Sequence, residues 1–232
     1  MRGTGATSRG VYPGVNHKQY ATQGLSSPFR LWFLGDSLTE GANNLTNGGF
    51  RKQVVDGLTT DGRPPNCVGT LSTGSFTENE HDGHSGIAAF QMVDQMPRWL
   101  EDVQPVDIVC LMIGINDLAV GQTVANTLAR IGNIMDIIFA ARHRTWVSVS
   151  TLFPNGNSSL NTLVDSFNAG LPTLVSDRTG YNKRAHFSNA GAACPLADVI
   201  AGGDNTHPIA AGYAPVAVVR RADINAIYNA WV

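Results

Sequence analysis

Three short apolar runs constrain this chain more than any other feature: residues 29–34 (FRLWFL), 106–113 (VDIVCLMI) and 145–152 (TWVSVSTL). The first two, apolar on nearly consecutive positions, read as buried strands, and the third reads as a strand through its β-favouring Trp146, Val147 and Val149; such strands belong to a parallel sheet covered by helices. Weaker strands are expected at residues 67–71 and 184–188. Between the runs the apolar residues change to helical spacing, as at Ile87, Phe90, Met92, Val93, Met96 and Leu100, and again at Val124, Leu128, Ile131, Ile134, Met135 and Ile138. Residues 208–232 open with Pro208 at a first helical position and carry Val216, Val219, Ile224, Ile227 and Trp231 along a closing helix. Strands alternating with helices predict an α/β domain around a parallel five-stranded sheet, with any ligand at the carboxyl ends of the strands. The folded domain is expected over residues 29–232. Residues 1–28 mix Gly, Ser, Thr and Tyr without period, which predicts an extended or poorly ordered segment.

At 232 residues the chain can bury one substantial core. Charged residues make up only 15% and the formal net charge is −2, so there is no electrostatic basis for a nucleic-acid or acidic-membrane partner, and an uncharged substrate is expected. The most apolar stretches are broken by Asp, Arg or Asn within about ten positions, so no membrane span is expected. No apolar run between a basic start and a small-residue cleavage site is visible in the first residues, so no signal peptide is read there. Cys67, Cys110 and Cys194 are too few and too far apart for a disulfide scaffold or a zinc ribbon. Cys110 reads as a small buried hydrophobe, and a Cys67–Cys194 bridge is left open.

Gly35-Asp36-Ser37-Leu38 stands at the carboxyl end of the first run, where an α/β fold exposes a side chain above its sheet. By itself the tetrapeptide is more often a capping turn than a nucleophile. A serine hydroxyl becomes a nucleophile only beside a base, usually a histidine whose second ring nitrogen is held by a carboxylate. Of the six histidines, His17 falls in the N-terminal segment, His143 lies between two arginines at a helix end, and His186 sits in an expected strand. His207 stands in Asp204-Asn205-Thr206-His207-Pro208. That loop is short enough for the Asp204 carboxylate to reach Nδ1 and leave Nε2 facing Ser37, although the same pattern would cap the closing helix.

A tetrahedral oxyanion also requires hydrogen-bond donors. Gly114-Ile115-Asn116-Asp117 follows the third expected strand and offers the Asn116 amide, while Asp82-Gly83-His84-Ser85-Gly86 precedes the first long helix and offers a glycine N–H. His81, Asp82 and His84 are chemically suited to a divalent metal, but no further ligand can be named, and neither a metal nor another cofactor is expected. His84 is instead a candidate for substrate contact. Asp36 and Asp117 are expected to fix their loops by hydrogen bonding rather than to act as acids.

In this order, Gly35-Asp36-Ser37, Gly86, Gly114-Ile115-Asn116-Asp117 and Asp204 to Pro208 resemble the four blocks of the SGNH (GDSL) hydrolase superfamily, over roughly residues 29–232. The resemblance implies a flavodoxin-like three-layer α/β/α fold and a serine esterase. It implies Ser37 as nucleophile and backbone donor, Gly86 N–H and Asn116 Nδ2 as the other oxyanion donors, and Asp204 with His207 as the rest of a triad. Alignment on the Ser85-Gly86 pair favours Gly86 over Gly83. Within the superfamily, residues 80–86 (EHDGHSG) and 114–117 (GIND) are most similar to carbohydrate esterase family 3, with Asp82 where Glu is commoner. That finer likeness implies removal of acetyl groups from a carbohydrate such as xylan. Residues 72–81 and 155–161 are polar and supply no amphipathic lid, so a shallow cleft for short acyl groups is expected, and the weakly charged, Asn- and Ser-rich composition fits an extracellular enzyme acting on polysaccharide. The alternatives are a general short-chain carboxylesterase, an acyltransferase using the same residues, or a catalytically inactive carbohydrate-binding module.

Overall fold

The structure is a computed structural model that describes residues 28–142, 144–180 and 184–231. The segment expected before residue 28, with His17, lies outside the described residues, and so does His143. Among the described residues seven strands form: β1 (Phe29–Gly35), β2 (Pro65–Val68), β3 (Leu71–Ser72), β4 (Glu80–Gly83), β5 (Ile108–Met112), β6 (Trp146–Ser150) and β7 (Arg184–Ser188). The order β2-β1-β5-β6-β7 is parallel throughout and corresponds to the five expected strands. Six of the seven residues of β1 are buried, as a central strand requires.

The two additional strands lie where a polar loop was expected. β4 runs parallel to β1 on the same side as β2 but at the carboxyl end, with Leu34 opposite Asp82 and Gly35 opposite Gly83. β3 pairs antiparallel with β4. This pairing brings the residues after β4 beside the residues after β1.

Helices α2 (Arg51–Thr60) and α8 (Ala210–Trp231) pack together over one face of the sheet. Helices α3 (Ala89–Asp102), α5 (Val124–Ala141) and α6 (Ser158–Ser176) form the other outer layer, giving the three-layer α/β/α arrangement. Short helices α1 (Ser37–Glu40), α4 (Ile115–Ala119) and α7 (Leu196–Ala201) occupy connections near the carboxyl edge. The helical stripes point as expected for Met92, Met96 and Leu100 and for Ile131, Ile134, Met135 and Ile138, all buried. Phe90 departs from its stripe: it is 40% exposed, with the Arg130 guanidinium 5.2 Å from its ring centroid. By length and composition alone α5 could cross a membrane, but here its apolar stripe faces the core and its flanks meet α3 and α6.

Arg220 of α8 is fully buried and donates to the main-chain carbonyls of Leu111 and Ser148, fastening the closing helix to β5 and β6. All three cysteines are buried free thiols, so Cys67 and Cys194 form no bridge. Burial pushes the Cys110 thiol up to about 11 and the Cys194 thiol up to about 12.

Candidate active site

Chain direction changes sharply after β1. Asp36 is still extended, at φ −106° and ψ −152°, and its Oδ1 accepts the Leu38 N–H at 3.0 Å, capping α1. Ser37 is the first residue of that four-residue helix and is almost fully covered by protein. Asp36 itself is completely buried and its Oδ2 has no hydrogen-bond partner among the described residues. Burial, countered by the Leu38 N–H and reinforced by the charge of Asp117, raises its carboxyl to about 7.

The partner of Ser37 arrives from 170 residues away. Ser37 Oγ lies 2.6 Å from His207 Nε2, and His207 Nδ1 lies 2.7 Å from Asp204 Oδ2. A carboxylate only accepts, so Nδ1 carries the imidazole proton, Nε2 offers its lone pair, and the Ser37 hydroxyl donates to it. The Asp204 loop is built to hold this pose. Asp204 Oδ1 accepts the N–H groups of Thr206 at 2.9 Å and His207 at 2.8 Å, and Asn43 Nδ2 donates to the carbonyl of His207 at 3.0 Å. Partial burial alone would raise the Asp204 carboxyl, but the hydrogen bonds from the His207 main chain and ring and from Thr206 outweigh it, and the group ionises below its ordinary range.

Beside this chain, Ile87 N donates to His84 O at 3.1 Å and closes a four-residue turn with Gly86 in its third position at φ +79°. A type II turn places a positive φ at that position, which glycine adopts without strain. Asn116, on α4, donates from Nδ2 to Ile87 O at 2.8 Å and retains a second N–H. Among the described residues, neither Ser37 N–H nor Gly86 N–H meets a protein acceptor. Gly83 is differently placed. Its N–H donates to His81 Nδ1 at 2.9 Å, and a Cβ there would stand 2.4 Å from Glu40 N, so this glycine allows β4 to pass beneath α1.

Asp117 ties the neighbouring segments together. Its carboxylate accepts the N–H of Ala89 at 2.5 Å and a bond from Arg130 at 3.2 Å. Like Asp36, it fixes its loop by hydrogen bonding.

A family description built on GDSL-like lipases and acylhydrolases matches residues 33–214, from β1 through the His207 loop into α8. The chain belongs to the GDSL-like lipase/acylhydrolase family. As a member of this family it is an esterase. Among solved structures, it is similar to a family 3 carbohydrate esterase of Clostridium thermocellum at 25% identity and a TM-score of 0.77, covering 87% of this chain and 98% of the other. An acetyl esterase, crystallised as a mutant with acetate ion, is 21% identical at a TM-score of 0.77 over 87% of this chain and 99% of its own. A family 3 carbohydrate esterase of Talaromyces cellulolyticus is 20% identical at 0.72, over 87% and 99%. No curated protein matches the chain by sequence.

In this acylhydrolase the His81-Asp82-Gly83-His84 segment is tied closely into its surroundings. Asp82 is fully buried and accepts from Trp32 Nε1 at 2.6 Å, Thr70 N at 3.2 Å, the Thr70 hydroxyl, and His84 Nε2 at 3.0 Å. The His84 ring also stacks on Trp99, 4.3 Å between centroids and 4° from parallel. His84, the candidate for substrate contact, stands first in the Gly86 turn and keeps part of its side chain at the surface. His81 accepts the Gly83 N–H at Nδ1, so its proton sits on Nε2 and donates to Thr73 Oγ1 at 2.7 Å. Burial and the nearby Arg51 charge hold His81 down to about 3, a neutral imidazole. Among the described residues no group of three His, Cys, Asp or Glu is placed to hold a metal ion.

Arg51 carried no sequence signal, yet it is fully buried behind α1. Its guanidinium donates to the carbonyls of Thr39 at 3.0 Å, Glu40 at 3.2 Å, Thr73 at 3.0 Å and Asn79 at 2.9 Å. Burial pulls its pKa down to about 10. A charged residue at the start of a helix ordinarily reads as surface, and only the carbonyl-lined cage behind α1 reveals its use.

Proposed function

We propose that this esterase removes acetyl groups from a carbohydrate such as xylan, with Ser37 as nucleophile, His207 as base and then acid, and Asp204 as the group that orients His207. The hydrogen-bonded chain from Ser37 Oγ through His207 to Asp204, with contacts of 2.6 and 2.7 Å, carries the catalytic part of this reading. As Oγ bonds to the acetyl carbon, its proton passes to Nε2, and the ionised Asp204 carboxylate stabilises the imidazolium. The carbonyl oxygen takes the electron pair, within reach of the proposed donors Ser37 N–H, Gly86 N–H and Asn116 Nδ2. Collapse breaks the bond to the sugar oxygen, which takes the proton from His207. Water then gives its proton to His207 and attacks the acetyl-enzyme, acetate leaves, and the proton returns to Ser37 Oγ.

The substrate part is supported by likeness to the Clostridium thermocellum family 3 carbohydrate esterase and by the polar character of residues 72–81 and 155–161. The test is hydrolysis of p-nitrophenyl esters from acetyl to octanoyl, alongside acetate release from acetylated xylan, for wild type and Ser37→Ala. Wild type is expected to prefer acetyl and to deacetylate xylan, and Ser37→Ala to lose activity by about a thousandfold or more. Full activity in Ser37→Ala overturns the nucleophile, and preference for longer chains overturns the acetyl reading.

A further inference from the structure

Beyond the Gly86 turn, the surface continues as a shallow cleft of about 370 Å³ lined by Ser85, Gly86, Ile87, Gln91 and Gln95. Gln91 and Gln95 are one helical turn apart on α3, so their side chains share a face. Gln91 Oε1 accepts the Ala88 N–H at 2.9 Å, which fixes that amide and leaves its NH₂ as the free, donating end. None of the lining side chains is ionisable. The positive end of α3 is not available to an anion either, because Asp117 already takes the N–H groups of Ala89 and Phe90. A Cβ built on Gly86 meets nothing within 4 Å, so the main chain there borders open space.

We infer that this cleft is the subsite for the sugar bearing the ester, with the Gln91 and Gln95 amides and the Ser85 hydroxyl hydrogen-bonding its hydroxyl groups. A long acyl chain laid here would strip water from two amides and a hydroxyl and return no hydrogen bonds, whereas a neutral polyhydroxylated alcohol replaces each one. The acetyl group is then left on the other side of the Ser37–Gly86 line. The inference rests on the proposed reading of Gly86 as a donor close to the reacting carbonyl.

The experiment measures inhibition of p-nitrophenyl acetate hydrolysis by unacetylated xylotetraose, for wild type, Gln95→Ala and the Gln91→Glu/Gln95→Ala double variant, with thermal melts confirming that each is folded. Competitive inhibition of wild type is expected, with Ki about fivefold weaker in Gln95→Ala and weaker again in the double variant. The ratio of kcat/KM for acetylated xylo-oligosaccharide to that for p-nitrophenyl acetate is expected to fall by a similar factor, through KM. Lack of inhibition in wild type, or an unchanged Ki in both variants, overturns the subsite. The substrate proposal fails separately: Gln95-dependent inhibition with no acetate released from acetylated xylan sustains the sugar subsite and removes xylan deacetylation.

Discussion

Asp36 joins the site to pH through one carboxyl group. Burial raises its pKa to about 7 in the folded protein, well above the ordinary carboxylate value of 3.8. From roughly pH 4 to pH 7 the unfolded chain has therefore released this proton while the folded chain still holds it, so this residue makes stability fall as pH rises, by up to about 1.4 kcal/mol per pH unit. Asn at this position keeps an oxygen for the Leu38 N–H and cannot ionise. Asp36→Asn is expected to match wild type near pH 4, to gain on it steadily toward pH 7 and to hold a constant advantage above it, read from thermal melts across that series. A constant offset between the two proteins contradicts this account. Asp204 works in the opposite sense, because its partners favour the charged form. Asp204→Asn is expected to lower kcat by about two to four orders of magnitude, since the amide can hold the wrong imidazole tautomer, while KM changes little.

At the scale of elements, α1 is too short to hold its own position, and Arg51 and Gly83 supply what it lacks. Arg51 saturates two carbonyls at its carboxyl end, and Gly83 lets β4 lie against it. Arg51→Leu leaves buried carbonyls without donors and is expected to cost about 3 kcal/mol or more in urea melts, with kcat lowered as Ser37 loses its fixed backbone. Gly83→Ala should destabilise by forcing α1 away from β4. Gly86→Ala strains a positive φ in open space, which costs about 1 kcal/mol of stability and falls mainly on kcat. Equal stability losses for the two glycine variants would contradict this division. The same elements show where sequence reasoning stops. β1 and β5 were legible because their side chains are almost all apolar on both faces, and β6 because Trp146, Val147 and Val149 favour a strand. β4 was not, because His81 and Asp82 are buried by partners that come from Thr73, Trp32, Thr70 and His84, and a polar residue satisfied by tertiary contacts resembles a loop residue in sequence. α6 began inside a stretch read as polar loop, since its cap Asn157 and first turn are hydrophilic.

Across the whole molecule one continuous core joins both faces of the sheet, and the three cysteines lie inside it without a bridge. None of the thiols is expected to react with a disulfide reagent in the native protein, and all three are expected to react in denaturant, so thiol modification should track unfolding. Thermal midpoints with and without reductant should agree. Prompt labelling of one thiol in native buffer would show that the core is less closed than described.

The sequence by itself determined the parallel sheet, its five central strands, the helices that cover it and the identity of the residues able to form a Ser37–His207–Asp204 chain. These follow from local periodicity and from the ordered spacing of short motifs, which need no knowledge of distant contacts. Only the tertiary structure decided that Ser37 and His207 stand within hydrogen-bond reach across 170 residues and that Gly86 has an open N–H while that of Gly83 is occupied. It also decided that His84 belongs to a buried carboxylate network and that Arg51 stands behind α1. A buried polar group is tolerable only when its partners arrive, and those partners are brought together by the pairing of β4 with β1, a contact between segments that no local pattern encodes.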